Sequence, residues 1–294
     1  MDAPALMFGI GATRGGTTWL YQYLRSHPQC HLRPVKEAHW FNTLERDQSA
    51  RRIASLTRVH DRFAARAARN PGDVDARSGI DAARHLAQLF AQKPPSDAAY
   101  VAWLDEGSDG QTRLVGDITP AYATLKAATF RRMAGLRPIV RFVYLLRDPV
   151  ARLWSNVRQS VGRAGSDPDT LDARARAHLE GWLDGGKPGL QARADYRQTL
   201  TRLDRAIAPE NLLVLFHETL FSAGTIDRLT AFLGLDPFPA PLQQRVHASQ
   251  PLPLDQSALM RIRDRLAPQY DYIRDRFGAE VPPQWDAHKA EVMQ

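Results

Sequence analysis

Residues 9–18 read Gly9-Ile10-Gly11-Ala12-Thr13-Arg14-Gly15-Gly16-Thr17-Thr18, between the apolar run Ala5-Leu6-Met7-Phe8 and a helix-like segment that begins at Trp19. A strand, a glycine-rich turn and a helix start, in that order, leave several backbone N–H groups aimed at one spot. The helix dipole adds partial positive charge there, so a phosphate or sulfate is the natural occupant. From Gly11 to Gly16 the spacing fits the phosphate loop G-x-x-x-x-G-K-[ST], but Thr17 stands where that motif has its lysine. The cation sits instead at Arg14. Without the lysine, the segment argues against metal-assisted triphosphate cleavage, while Thr17 and Thr18 still offer hydroxyl donors. A glycine-rich turn without a ligand is the plain alternative for this segment taken alone.

A second constellation lies downstream. Ile139-Val-Arg-Phe-Val-Tyr-Leu-Leu146 suits a buried parallel strand. It ends at Arg147-Asp148-Pro149, where Asp at a cap position and Pro just inside open a new helix. Ser155 follows Arg147 by eight residues, with Arg152 and Arg158 on the same helix. An arginine at the strand end and a serine two helical turns on can reach one phosphate. Singly, each reads as a capping arginine and an exposed helix serine; together with the first cradle they describe a ligand carrying two separate phosphate-like groups.

These segments resemble a known family. GATRGGTTWLYQYLRSHP is similar to the 5′-phosphosulfate loop of sulfotransferases that use 3′-phosphoadenylyl sulfate (PAPS). YLLRDPVARLWSNVRQ resembles their 3′-phosphate motif, VKEAHWF their K-E-P-H-F-F type segment in the bacterial and heparan-type branch, and GDITPAYA the G-E-x-[ST]-P-x-Y segment of that branch. A weaker likeness continues through RADYRQTLTRLDRAIAPENLLVLFHETLF. Two departures stand out: the family usually has lysine at the position of Arg14, and Ala38 replaces the usual proline. Arginine keeps the charge but is a fixed cation that donates no proton at neutral pH. The GxxGxWK-like segment of the cytosolic branch is not found near the C-terminus, so adenine contacts are not assigned.

The resemblance implies nucleotide binding by Arg14, Gly15, Gly16, Thr17, Thr18, Arg147 and Ser155, with Tyr196 of the RADY segment as a further contact, and PAP as the product. It also implies Glu37 as catalytic base, with Lys36 neutralising sulfo oxygens and Arg14 offsetting charge on the bridging oxygen. His39 is the alternative base, because histidine titrates near neutrality unaided; its plainer reading is a structural histidine beside Trp40 and Phe41, which themselves read as core. Adjacent residues on a strand face opposite ways, so Lys36 and Glu37 serve one site only if the backbone there is irregular. Asp117, after a strand expected over 112–116, reads equally as a further site carboxylate near a strand end and as a structural group, a helix cap or a partner for Arg14 or Lys36.

The rest of the chain bounds the answer. Its 294 residues, 44% of them hydrophobic, suffice for one large core. Strands expected over 5–10, 112–116, 139–146 and 211–216 alternate with helical stretches, which predicts an α/β fold: a central, mostly parallel sheet flanked by helices, P-loop-like, with the site beyond the strands' C-terminal ends. A single domain over 1–294 is expected, with a helical insertion at about 45–110 forming part of the acceptor wall, and a variable, gating loop at about 162–194. A net charge of +7 suits a multiply anionic nucleotide. No zinc spacing, RNA-binding motif or basic block points to nucleic acid, and no metal ligand set is found. The lone Cys30 allows no intrachain disulfide, and no run approaches bilayer length, so a cytoplasmic enzyme is expected. The expected partner is a carbohydrate, glycolipid or small-molecule acceptor. The rivals are a P-loop kinase of a small molecule and a catalytically silent nucleotide-binding protein, the latter kept open by Arg14.

Overall fold

The computed structural model describes residues 3–162, 168–185, 195–241 and 256–286. Five strands, β1 (Ala5–Gly11), β2 (Cys30–Leu32), β3 (Leu114–Ile118), β4 (Val140–Leu146) and β5 (Leu212–Phe216), form one sheet in the order β2-β3-β1-β4-β5. Every pairing is parallel. The expected α/β architecture is therefore present, with one strand added: β2 is three residues long, too short for periodicity to reveal.

The sheet is apolar on both faces because helices cover both. Along β1, Leu6, Phe8 and Ile10 enter one core while Met7 enters the other; along β4, Phe142, Tyr144 and Leu146 alternate likewise with Val143 and Leu145. The first helix, α1 (Thr17–Ser26), buries Trp19, Leu20, Tyr23 and Leu24, the spacing of a single helical stripe. It shares its core with a late helix, Ala223–Leu233.

Between β2 and β3 lie α2 (Trp40–Glu45), α3 (Ser49–Arg69), α4 (Val74–Ala91) and α5 (Asp97–Asp105), which is the helical stretch expected at 45–110. It is built into the main core rather than hung from it: Leu56, Leu86, Phe90, Tyr100 and Trp103 pack in the same cluster as Phe8 and Phe142. After β3 come a 3₁₀ turn (Pro120–Thr124) and α6 (Ala127–Ala134); after β4 come α7 (Pro149–Gly162) and α8 (Pro168–Leu183). The expected gating loop at 162–194 contains α8, and its residues 163–167 and 186–194 lie outside the described residues. The chain continues with α9 (Tyr196–Asp204), α10 (Ala223–Leu233) and α11 (Gln256–Phe277). Among the described residues no helix is long and apolar enough to cross a membrane.

All five strands point their C-terminal ends the same way. The β1–α1 turn, the segment after β2, and the residues after β3, β4 and β5 therefore gather along one edge.

Candidate active site

The β1–α1 turn begins where β1 loosens from β4: their register shifts between Gly9 and Gly11, and Ala12 N–H then donates to the Leu145 carbonyl at 2.7 Å. Gly15 cannot be any larger residue, since a Cβ there would lie 2.7 Å from the Leu145 carbonyl oxygen. Gly16 precedes α1 with φ of 101°, a left-handed conformation that a side chain resists. The helix start has no side-chain cap and no acidic residue in its first turn. By contrast, Asp73, Ser96, Asp148, Asp195 and Ser222 cap α4, α5, α7, α9 and α10. The starts of α2, α3 and α6 are equally bare, but only that of α1 follows a glycine turn at a strand's C-terminal end, where unpartnered helix N–H groups suit an anion.

Arg14, at φ of 71°, turns its side chain across the sheet edge. Its Nε donates to Ser155 Oγ at 2.8 Å, and Arg147 Nη1 donates to the Arg14 carbonyl at 3.2 Å. The two constellations singled out in the sequence, separated by 141 residues, are joined by this bond. Asp148 caps α7 as expected: Oδ1 accepts from Ala151 N–H at 2.8 Å, and Oδ2 accepts from the Tyr270 hydroxyl at 2.7 Å. Tyr196 is fully buried. Its hydroxyl accepts from Arg147 N–H at 3.3 Å and donates to the Arg147 carbonyl at 2.7 Å. It reaches the site through the Arg147 peptide and has no open surface to offer a ligand. Arg152 is likewise fully buried.

The segment after β2 carries a second set of groups. Lys36 Nζ lies 3.0 Å from Thr18 Oγ1 and 3.1 Å from Glu37 Oε1, and so ties α1 to the Glu37 carboxylate. His39 Nε2 lies 3.4 Å from Glu37 Oε2, and His39 Nδ1 3.1 Å from Asn42 Oδ1. The line Thr18, Lys36, Glu37, His39, Asn42 is continuous. It exists because the backbone is irregular in the way the sequence required: Glu37 has φ of 63° and His39 φ of 58°. Neither residue is glycine, and each left-handed residue costs roughly 1–2 kcal/mol. The turn at Glu37 brings its carboxylate round to the side of its neighbour Lys36.

Burial works to raise the Glu37 pKa, but the hydrogen bond from His39 and the charges of Lys36 and His39 outweigh it and hold the carboxyl down at about 2. The side chain remains 36% exposed and so open to solvent.

Asp117 is a buried acceptor of four hydrogen bonds, and neither a helix cap nor a partner of Arg14 or Lys36. It lies within β3, only 4% exposed. Oδ2 accepts from the Tyr100 and Tyr122 hydroxyls at 2.8 and 2.6 Å; Oδ1 accepts from the Thr119 hydroxyl at 2.8 Å and Ala38 N–H at 3.2 Å. A carboxylate out of water needs such donors, or burial costs several kcal/mol. Burial, with the Asp117 charge adding to it, pushes both tyrosines well above the ordinary phenol range, so they remain donors.

Trp40 and Phe41 are core, as read: Trp40 stacks on Tyr100 with ring centroids 4.9 Å apart, and its Nε1 donates to Asp97 at 2.8 Å. Sequence reasoning passed over Asn42, whose spacing of three from His39 on a helix start was the available signal. It also passed over His217 and Glu218, which follow β5 and so lie at the strand ends. His217 Nδ1 lies 3.3 Å from the Gly15 carbonyl oxygen, and Glu218 Oε1 accepts from Asp148 N–H at 2.9 Å. Among the described residues no group of three metal-ligating side chains is found.

No curated protein matches the chain at a significant level. Among solved structures, a sulfotransferase from Alicyclobacillus acidocaldarius is similar over 97% of this chain and 99% of its own, with a TM-score of 0.59 at 20% identity. The sulfotransferase domain of the Synechococcus PCC 7002 olefin synthase is similar over 90% of this chain and 94% of its own, with a TM-score of 0.45 at 16% identity. The first likeness agrees with the fold described above. A family model described as the sulfotransferase family matches residues 6–240. That span takes in all five strands and both sets of side chains at their C-terminal edge, and the chain belongs to the sulfotransferase family.

Proposed function

We propose that the chain transfers a sulfo group from PAPS to a hydroxyl of a carbohydrate, glycolipid or small-metabolite acceptor, with an amine as the lesser alternative. The observation that carries this reading is the contact of Arg14 with Ser155 and of Arg147 with the Arg14 carbonyl. It sets a second cluster of cationic and hydroxyl donors beside the helix N-terminus, where a nucleotide with phosphates at both 5′ and 3′ positions needs one.

The residues fit such a ligand. The bare N-terminus of α1, Thr17, Thr18 and Lys36 would hold the 5′-phosphosulfate against Gly15 and Gly16; Arg147 and Ser155 would hold the 3′-phosphate, with Arg14 between the two. Tyr196 would act by fixing the Arg147 peptide. PAPS, when bound, supplies the sulfo group on a phosphate–sulfate anhydride. The sulfur–oxygen bond to phosphate breaks, a new one forms to the acceptor oxygen, and the acceptor proton passes to Glu37. Held at about 2, Glu37 is a poor base at neutral pH. Lys36, on turning its ammonium to the sulfo oxygens, would release the carboxylate to a higher pKa as the acceptor needs it. His39, steadied by Asn42, would then keep Glu37 oriented, or take the proton in its place.

The test is calorimetric titration with PAP beside ADP and ATP, with and without magnesium. Micromolar PAP binding with little ADP binding is expected, followed by turnover of labelled PAPS against an acceptor panel. Preference for ATP with magnesium would move the assignment to phosphoryl transfer, and PAP binding without turnover of any acceptor would favour a silent binding protein.

A further inference from the structure

The backbone from Glu37 to His39 is gripped from two directions by side chains far away in the chain. Arg52, near the start of α3, donates from Nη2 to the Glu37 carbonyl at 2.7 Å and from Nε to the Ala38 carbonyl at 3.1 Å. On the other side, Asp117 Oδ1 accepts from Ala38 N–H at 3.2 Å. Thr119 Oγ1 accepts from His39 N–H at 3.3 Å while passing its own hydrogen to Asp117 Oδ1 at 2.8 Å. Two consecutive carbonyls and the two N–H groups that follow them all have side-chain partners. Surface connections ordinarily leave such groups to water or to their own turn.

These bonds fall on the stretch that contains the two left-handed residues, Glu37 and His39. Such conformations persist only where the surroundings over-determine them. The peptides so fixed carry the side chains of Glu37 and His39, which meet at 3.4 Å. A planar guanidinium spans two neighbouring carbonyls in a way that a lysine ammonium, a single point of charge, does not. The carboxylate opposite is itself locked by Tyr100 and Tyr122, deep in the core. The helical stretch between β2 and β3 thus reaches the Glu37 segment through the first turn of α3.

We propose that Arg52 and the Asp117–Thr119 pair are positioning residues, a rigid frame that sets the Glu37 carboxylate at its working place; the idea rests on Glu37 as the base. The frame touches neither reacting group and acts through the backbone alone. Loss of either side should lower turnover while leaving the nucleotide cradle on β1 and β4 as it was.

The test compares Glu37→Gln, Arg52→Gln, Arg52→Lys, Thr119→Val and Thr119→Ser in the full chain. PAP affinity is read by calorimetry, turnover with PAPS and 4-nitrophenol, and the amide exchange of Ala38 and His39 by hydrogen–deuterium exchange. Arg52→Gln and Thr119→Val should keep PAP affinity within about twofold and lose about 100-fold in kcat, the scale of a reacting group misplaced by ~1 Å. The acid limb of the pH–rate profile should move upward, because a loosened Glu37 leaves the cations that depress it. Arg52→Lys should not restore the loss, and Thr119→Ser should. Amide exchange, which needs no turnover, should speed at His39 in Thr119→Val and at both amides in Arg52→Gln. Unchanged exchange in both variants, or unchanged kcat beside an inactive Glu37→Gln, would overturn the frame. Faster exchange in the variants together with a fully active Glu37→Gln would leave the frame standing as structure and sink Glu37 as the base, and with it the positioning role.

Discussion

The phosphate loop and the Glu37 segment both sit at the C-terminal edge of the sheet, yet they are built by opposite means. The loop at 11–18 takes its shape from regular elements: a strand end, glycines where a side chain has no room, and a helix start. On the proposed reading its function is carried largely by backbone groups. The segment at 36–39 belongs to no regular element, and the role proposed for it is carried by side chains. Its shape comes from Arg52, Asp117 and Thr119, up to 80 residues away. An anion site can be made from local geometry, whereas an oriented carboxylate here requires the folded core to hold it.

Several changes would break or sharpen that contrast. Removing the carboxylate should have the largest effect: Glu37→Gln is expected to lose ~10²–10⁴-fold in turnover, the usual share of a general base, while PAP affinity measured by calorimetry stays nearly intact. If PAP affinity fell in step, the two regions would not be separable. On the other side, Arg147→Ala should weaken PAP binding by about 2–5 kcal/mol, as for one partner of a desolvated charge pair; unchanged affinity would put the 3′-phosphate elsewhere.

A smaller effect is expected from Gly16→Ala. With φ of 101° and His217 Nδ1 3.0 Å from the added carbon, the variant should lose roughly 1–2 kcal/mol in urea denaturation and bind PAP more weakly. Tyr196→Phe removes only the bonds to the Arg147 peptide, so a loss of about 0.5–1.5 kcal/mol in stability is expected, with a modest rise in the PAP dissociation constant.

The smallest effect concerns pH. The Glu37 carboxyl is depressed in the folded protein from its usual 4.5 to about 2. Its contribution to stability is therefore fully present above about 4.5 and is lost as pH falls toward about 2. Because the side chain is partly exposed, the effect is modest. The difference in Tm between the wild-type chain and Glu37→Gln should shrink across that window, and a constant difference would contradict the pairing with Lys36 and His39.

The same contrast explains what the sequence could tell. Strands β1, β4 and β5 announce themselves as apolar runs, and the glycine loop and the Arg-Asp-Pro start of α7 are local signals of local geometry. Tertiary structure decided the rest. Nothing in the spelling of α3 distinguishes Arg52 from its exposed neighbour Arg51, because the difference lies in which carbonyls stand opposite. Asp117 reads as a group after a strand end, but β3 runs on through Ile118 and pulls it into the core. Arg14 and Ser155 read as members of two candidate phosphate sites; their direct bond is not legible, since it depends on how β1 and β4 bring their loops together.

That bond has a kinetic consequence. Arg14 bonds to Ser155 and accepts from Arg147 through its carbonyl, so the three residues brace one another and, on the proposed reading, little ordering is left for a ligand to impose. A site that is assembled in advance gains affinity by avoiding that cost, and on the proposed reading product and donor would share that gain. On the proposed reading, departure of PAP rather than sulfo transfer would then set the pace of the cycle.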